Sequence, residues 1–278
     1  LILGPEKDPM KYLLTLFAAL LVASSLFGQN GTPPPAGARG IGMGFTGLTF
    51  HDVHAVFSNA AGIANIDRTS VAAFGEQRFL LEELGAYSFA VALPTNAGNF
   101  GLSVQHFGFE GYNEQRIGIA YARSLAENLS IGGQFLALNT QIEEYGSRLA
   151  LTFALGLQYQ ALPQLEFAAH INSPVRVEEA NGAYLPTVLS VGARYSPSDQ
   201  VSILLEAEKD IDYPVRTKIG IEYRVADPFY LRFGAATHPA TVTLGIGYQI
   251  ADRLWFDVAS GYHEILGFSP AGGIHYQF

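Results

Sequence analysis

The chain has 278 residues, of which 49% are hydrophobic, 12% aromatic and only 15% charged, with a formal net charge of −9 and no cysteine. Ordinary soluble proteins carry roughly 25% charged residues, so this chain is poorly equipped to cover a water-facing surface, and its negative balance argues against a nucleic-acid partner. No run of about 18 or more apolar residues lies in the body of the chain, which argues against helical membrane spans, and the absence of cysteine is compatible with an envelope location.

In chain order, Met10 and Lys11 are followed by the apolar run Tyr12-Leu13-Leu14-Thr15-Leu16-Phe17-Ala18-Ala19-Leu20-Leu21-Val22 and then by Ala23, Ser24 and Ser25. A basic start, a short apolar run and a small-residue exit read as a secretory signal peptide. Cleavage is expected after Ser25 or Gly28. The run is short for an anchor and polar Gln29 and Asn30 follow it at once. Residues 1–9 read as an extended start ahead of Met10. Gly31-Thr32-Pro33-Pro34-Pro35 then forms a stiff, extended linker.

The next stretch, from Ala38 to Ala64, lacks strand alternation and is crowded with glycine. Gly40, Gly42, Gly44 and Gly47 do not make a phosphate-cradling loop, because no Lys-Ser/Thr follows and no strand precedes. Close backbone packing accounts for them better.

From Thr69 onward the pattern changes to a period of two, which marks strands. Alternating segments fall at 69–79, 84–93, 98–108, 113–124, 128–141, 148–160, 164–172, 187–195, 200–209, 215–225, 229–237, 241–250, 254–262 and 271–278. Leu149, Leu151, Phe153, Leu155, Leu157 and Tyr159 share one parity, with Ala150, Thr152, Ala154, Gly156 and Gln158 on the other. Ile219, Ile221, Tyr223 and Val225 oppose Lys218, Gly220, Glu222 and Arg224 in the same way. In the last segment Gly272, Ile274, Tyr276 and Phe278 oppose Gly273, His275 and Gln277. An apolar exterior with a small or polar interior, in an even number of strands, predicts an all-β fold: a transmembrane antiparallel β-barrel of about fourteen strands. Short turns are expected after even-numbered strands and longer outer loops after odd-numbered ones, the longest from Ser173 to Pro186.

The pattern Ala-Arg-Gly-x-Gly-Met-Gly over residues 38–44, then Asp-x-x-Ala-x-Phe-x-Asn-x-Ala-Gly-x-Ala over 52–64, then alternating strands to a final Phe, resembles the outer-membrane family of PorV and PorQ of type IX secretion. That family is similar in build to FadL-type transporters. The resemblance implies that residues near 40–66 fold into the barrel as a plug, with Arg39, Gly42, Gly44, Asp52, Asn59 and Gly62 as its marker residues. The family's Asn-Pro-Ala tripeptide corresponds to Asn59-Ala60-Ala61, without the proline. The expected division is 1–28 as start extension and signal peptide, 29–66 as linker and plug, and 67–278 as barrel. By resemblance, the final strand, with Gly272, Ile274, Tyr276 and Phe278, serves as the assembly signal read by the barrel assembly machinery. The implied setting is the outer membrane of a Gram-negative bacterium, in contact with its lipid. The implied role is accessory to type IX secretion, with a secretion translocon or exported proteins as partners. A FadL-like channel for small hydrophobic molecules and a structural barrel subunit are the alternatives.

No cofactor, metal or enzymatic activity is expected. His51 and His54 flank Asp52, but a metal needs a third ligand, and polar plug residues are the simpler account. His106, His238, His263 and His275 have no nucleophile motif around them, although Asp257 and Ser260 lie near His263 in sequence. Inward-facing charges gather on the eighth to eleventh strands, at Arg194, Glu206, Glu208, Lys218, Glu222, Arg224 and Arg232, joined by Glu166, His170 and Asp257. Mixed signs on adjacent strands favour mutual neutralisation over ion selection.

Overall fold

The computed structural model describes residues 33–180 and 183–278; the expected export signal lies outside them. Fourteen antiparallel strands close into one barrel. They are β1 Ser70–Gln77, β2 Gly85–Leu93, β3 Asn99–Phe109, β4 Tyr112–Ala126, β5 Leu129–Ile142, β6 Gly146–Leu162, β7 Leu165–Asn172, β10 Val188–Ser198, β11 Val201–Asp210, β12 Arg216–Ala226, β13 Phe229–Ala236, β14 Thr241–Ile250, β15 Leu254–His263 and β16 Gly267–Gln277. A separate short hairpin, β8 Glu178–Ala180 and β9 Ala183–Tyr184, lies in the connection between β7 and β10. β1 pairs with both β2 and β16, which completes the ring. Closure leaves no edge of unpaired backbone groups, the condition for a sheet to stand in hydrocarbon. Among the described residues no helix is long and apolar enough to cross a membrane.

The period of two sorts the side chains. On β14, Val242, Leu244, Ile246, Tyr248 and Ile250 are exposed on the outside, while Thr243, Gly245 and Gly247 are buried inside. Aromatic pairs Phe100–Tyr121, Phe229–Tyr248 and Tyr276–Phe278 lie near the rim where β1 begins and β16 finishes, here the lower rim. Such rings are the usual anchors of a barrel at a membrane interface. Four register shifts, at Ser124/Ala126, Gln160/Leu162, Tyr195/Ser198 and Arg224/Ala226, all sit at this rim. Bulges collect where a strand turns out of the sheet. Pairing runs round the whole ring, and the upper part of β6, residues 146–153, extends above its ladder with β7, which ends at the Ala154–Asn172 pair.

Two expectations about the strands need correction. The upper-rim connections are not uniformly long: 110–111, 143–145 and 264–266 are tight turns, because the strands flanking them, β3 to β6 and β15 to β16, run past their expected ends. β16 starts at Gly267, upstream of Pro270. The Phe278 amide donates to Thr69 and the Gln277 amide to Arg253, so the even-numbered amides of β16 face β1. Pairing with β1 ends at Ala271, so the N–H that Pro270 lacks has no ladder partner to miss. In the longest connection, between β7 and β10, Leu185 is buried among Leu136, Leu138, Ala150 and Ala154 of β5 and β6.

Candidate functional site: plug and vestibule

The lumen is filled by the chain ahead of β1. It forms a short helix α1 Gly37–Gly42, a second helix α2 Ala55–Ser58 and a 3-10 turn Ala60–Asn65. Phe50, Ile41, Met43, Ile63, Val53 and Val56 are fully buried there. The wall makes room with small inward residues, Ala72, Ala90, Ala92, Ala120 and Ala122 among them.

Several of the closest approaches of the plug to the wall fall on wall glycines. A Cβ on Gly132 would overlap the backbone of Ala60 and Ala61, one on Gly156 the Asn59 amide, one on Gly220 the backbone of Met43, and one on Gly234 the backbone of Gly44. Gly42 and Gly245 face each other, and a Cβ on either would stand 3.0 Å from the other's Cα. Gly44 also needs its own lack of side chain, since its φ is +68°. Gly234→Val is therefore expected to displace the plug and to raise ion conductance in a planar bilayer above that of the unaltered protein. Outward Gly133→Val, which meets only Leu155 and the Ala154 carbonyl at ordinary contact distance, should leave the bilayer tight.

The plug is held in two ways. Its second half, together with Leu48 and Phe50 ahead of it, is tied by neutral amide side chains. Asn59 accepts from the Ala61 amide and donates to the carbonyls of Leu48 and Leu157. Asn99 donates to Ile63, Ala64 and Ile66 at 2.7–3.0 Å. Gln158 donates to Leu48 and Phe50, and Gln134 to Val56. Gly62 lies against the Phe50 carbonyl with no room for a side chain. The edge-to-face pair Phe57–Phe74, at 5.2 Å between centroids, adds apolar contact.

The first half is tied by charge and by single backbone contacts to β10–β14. Arg39 donates twice to Glu222, at 3.0 and 2.6 Å, and once to Asp52 at 2.7 Å. Arg232 bridges Glu222, at 2.6 Å, to Asp257, at 2.5 Å. Glu206 accepts the amides of Gly47 and Leu48, Arg194 donates to the Thr49 carbonyl, and Thr243 exchanges hydrogen bonds with Gly42 and Gly44. Burial alone would raise the Asp52 carboxyl, but His54 and Arg39 beside it prevail and hold it well below the usual carboxylate range.

The other charges fall around this network. Glu208 pairs with Lys218 at 2.6 Å. Arg224 stands apart at the lower rim, near Asp227 and the Asp199 carbonyl, so it does not join the cluster in which its parity placed it. His51 turns to Glu166 at 2.8 Å while His54 turns to Asp52, so the two histidines diverge, and among the described residues no group of three potential ligands converges on a metal position. Ser260 lies on the outward parity of β15, whereas inward His263 accepts the amides of Ile265 and Leu266 at the turn. Gly272, Ile274, Tyr276 and Phe278 lie on the outward parity of β16 and at its end.

Above the plug lies a cavity of about 670 Å³. Its floor is the first half of the plug, Pro33 to Ala36 with Phe45, Gly47 and Leu48, joined by Ser58 alone from the second half. Pro33, Pro34 and Pro35, expected as a linker, are thus part of the lumen. Phe74, Phe79, Phe107 and Leu138 supply apolar wall, and Leu84, Tyr213, His238 and Leu266 mark the upper rim where the cavity opens. Charges alternate through it: Glu76 pairs with Arg78, Glu208 with Lys218, and Arg216 lies 5.1 Å over the Phe45 ring. Sequence reasoning missed Asn99, Gln134, Phe45 and Arg216. Inward parity marked the faces of Asn99, Gln134 and Arg216, and Phe45 fell in the glycine-rich stretch, but only the plug's path shows what they touch.

A closed fourteen-stranded barrel with an apolar exterior and an internal plug is an outer-membrane protein of the FadL-type architecture. Solved structures show the same fold at low identity. The toluene transporter TbuX of Ralstonia pickettii superposes with a TM-score of 0.66 at 13% identity, covering 89% of this chain and 99% of that one. The toluene transporter TodX of Pseudomonas putida gives 0.68 at 12%, covering 89% and 99%. A Pseudomonas aeruginosa FadL homologue gives 0.59 at 14%, covering 88% and 97%. No family model and no curated protein matches the sequence.

Proposed function

We propose that this chain is a channel for small, largely apolar molecules entering across the outer membrane. The observation that carries this reading is the plugged vestibule: a cavity open at the upper rim, walled by Phe74, Phe79, Phe107 and Leu138 and floored by Phe45 and Leu48. The solved structures of like fold that are named as toluene transporters support it. A guest burying about 150 Å² of apolar surface gains roughly 4 kcal/mol, which corresponds to an affinity of about 1 mM. Weak occupancy of that order suits conduction, since a guest must also leave.

The accessory role in type IX secretion rests on the motif over residues 38–64 and has no further support in the fold. One experiment separates the readings. Cells lacking their own channels of this type, with and without the barrel, are given radiolabelled toluene at low concentration. Faster uptake with the barrel is the expected result. Uptake equal to the empty control, together with a secretion translocon co-purifying from gently solubilised membranes, would overturn the channel reading in favour of the accessory one.

A further inference from the structure

The upper rim is not level. From the outward aromatic residues near the lower rim, the wall runs from Tyr159 up to Gly146 on β6, but only from Tyr248 to Thr241 on β14 and from Phe256 to His263 on β15. About six further residues, each adding roughly 2.5 Å of height in a tilted strand, lift the β5–β6 hairpin by about 15 Å. Its exterior turns polar there, with Gln115 of neighbouring β4, Asn139, Gln141 and Ser147 on the outward parity. On the low side the exterior stays apolar up to the turn, where outward Tyr262 packs on Phe268 with 4.9 Å between centroids. The vestibule opens over this low side: Leu84, Tyr213, His238 and Leu266 belong to the β1–β2, β11–β12, β13–β14 and β15–β16 connections, and neither 110–111 nor 143–145 lines it.

The low lip at β15–β16 and β1–β2 is held in shape. His263 accepts the amides of Ile265 and Leu266 and stands edge-on to Phe79 at 6.0 Å, and Ser269 accepts the Phe79 amide. Phe79 and Leu80 have φ values of 56° and 59°, a conformation that side chains of this size adopt only where their surroundings impose it. The consequence is a division of labour: Phe79 and Leu266 line the cavity, while Leu80, Leu81 and Ile265 are exposed on the lip. An apolar track therefore leads from the lipid-facing exterior, at Tyr262 and Phe268, across the lip to Phe79. Glu82, Glu83 and Glu264 flank it, fully solvated, and carboxylates need water. They place the lip at the level of the lipid headgroups and no deeper.

We infer that this low lip docks against the acyl chains of the outer leaflet and loads the vestibule from the membrane: a guest dissolved in the leaflet passes over the rim, across Ile265, Leu80 and Leu81, instead of arriving from bulk water. The upper rim carries the longest connection, as the outer side of such barrels does. Lipid is the occupant that the surface fits, because the lip continues the lipid-facing exterior of β15 and β16 without a polar belt between them. Lipid is also where an apolar guest collects, enriched about fourfold for each methylene it carries. The inference rests on the channel reading for its guest, but the depth of the lip does not.

The native chain has no cysteine, so a nitroxide label goes only to an introduced one. Ile265→Cys on the lip and Tyr145→Cys on the β5–β6 turn are both exposed positions, and each is labelled in the full barrel in vesicles of phosphatidylcholine and phosphatidylglycerol. Oxygen, which concentrates in hydrocarbon, should relax the label at 265 more than a water-soluble nickel chelate does, and the order should reverse at 145. Equal access of the nickel chelate to both labels would overturn the docking. Loading is read in the uptake assay with radiolabelled toluene, using Leu80→Ser with Ile265→Ser against Tyr145→Ser, each checked for folding by the heat-modifiable band shift. The lip pair should lower uptake severalfold while Tyr145→Ser matches the unaltered protein. Uptake by the lip pair that is unchanged or faster means that the guest arrives from water, since a polar lip wets more easily, and overturns the loading. Absence of uptake in the unaltered protein refutes the channel reading instead, and the labels still decide the depth of the lip.

Discussion

Replacing Ile246 by arginine is expected to destabilise the folded barrel by about 2–4 kcal/mol, the penalty for a cation on the lipid face near mid-membrane. Ile246 is the middle residue of the outward run from Val242 to Ile250 on β14, and more than half of its surface is exposed with no polar group beside it on that face. The fair inward comparison is Ser190→Arg. Ser190 borders the vestibule, where an added cation meets water and the carboxylates of Glu206 and Glu208. Thr243, the inward neighbour on β14, is unsuitable for this purpose. By parity alone it is a free lumen position, but it is buried under the plug and bonded to Gly42 and Gly44. Urea unfolding in detergent or lipid, followed by the heat-modifiable band shift on a gel, measures both variants. Equal stability of Ile246→Arg and Ser190→Arg would mean that the outward face does not meet hydrocarbon.

The strands were legible because a period of two carries its own reading frame. Each element repeats the same choice of apolar outward and small or polar inward over enough residues that a slip of one would invert it. The errors came where local chemistry pulled against that frame. Pro270 reads as a strand breaker, and only the end of its pairing with β1 at Ala271 shows why it is tolerated. The glycines were visible too, since Gly220, Gly245 and Gly247 all fall on the inward parity. Their meaning was not, because the atoms they accommodate lie far away in the chain: Met43 for Gly220, Gly42 for Gly245, and the Arg232 guanidinium for Gly247. The same holds for charge. Arg39 and Glu222 were each marked as notable, but they are separated by 183 positions, and no spacing rule reaches that far. Sequence therefore gave the wall and left the fit between plug and wall to the structure. A resemblance based on residues 38–64 identified the segment that enters the lumen, but a motif confined to that segment says nothing of the cavity above it.

Among the buried charges, the ranking of single substitutions can be worked out from the pairing, and Arg232→Met should be the most damaging. Arg232 pairs with Glu222 and Asp257, and it lies flat because Gly247 has no side chain to obstruct it. Without it, Asp257, with a side-chain exposure of 5%, keeps its charge but loses its ion-pair partner, while Glu222 still holds Arg39. Breaking a buried pair in this way costs about 3–5 kcal/mol. Glu222→Leu looks more drastic on paper, since three ionic hydrogen bonds vanish, yet it leaves Arg39 with Asp52 and Arg232 with Asp257, two pairs with no excess of either sign. Its expected cost is smaller, about 1–3 kcal/mol, set by the imperfectly satisfied guanidinium groups that remain. The double variant Arg232→Met with Asp257→Leu also removes the stranded carboxylate and should recover a good part of the single loss, as neighbouring sites in one network do. Urea unfolding of the three proteins gives the order directly. If Glu222→Leu proved the least stable of the set, Arg39 would have to depend on Glu222 far more than on Asp52, and the charged network would be a single unit centred on the plug rather than two pairs sharing a carboxylate.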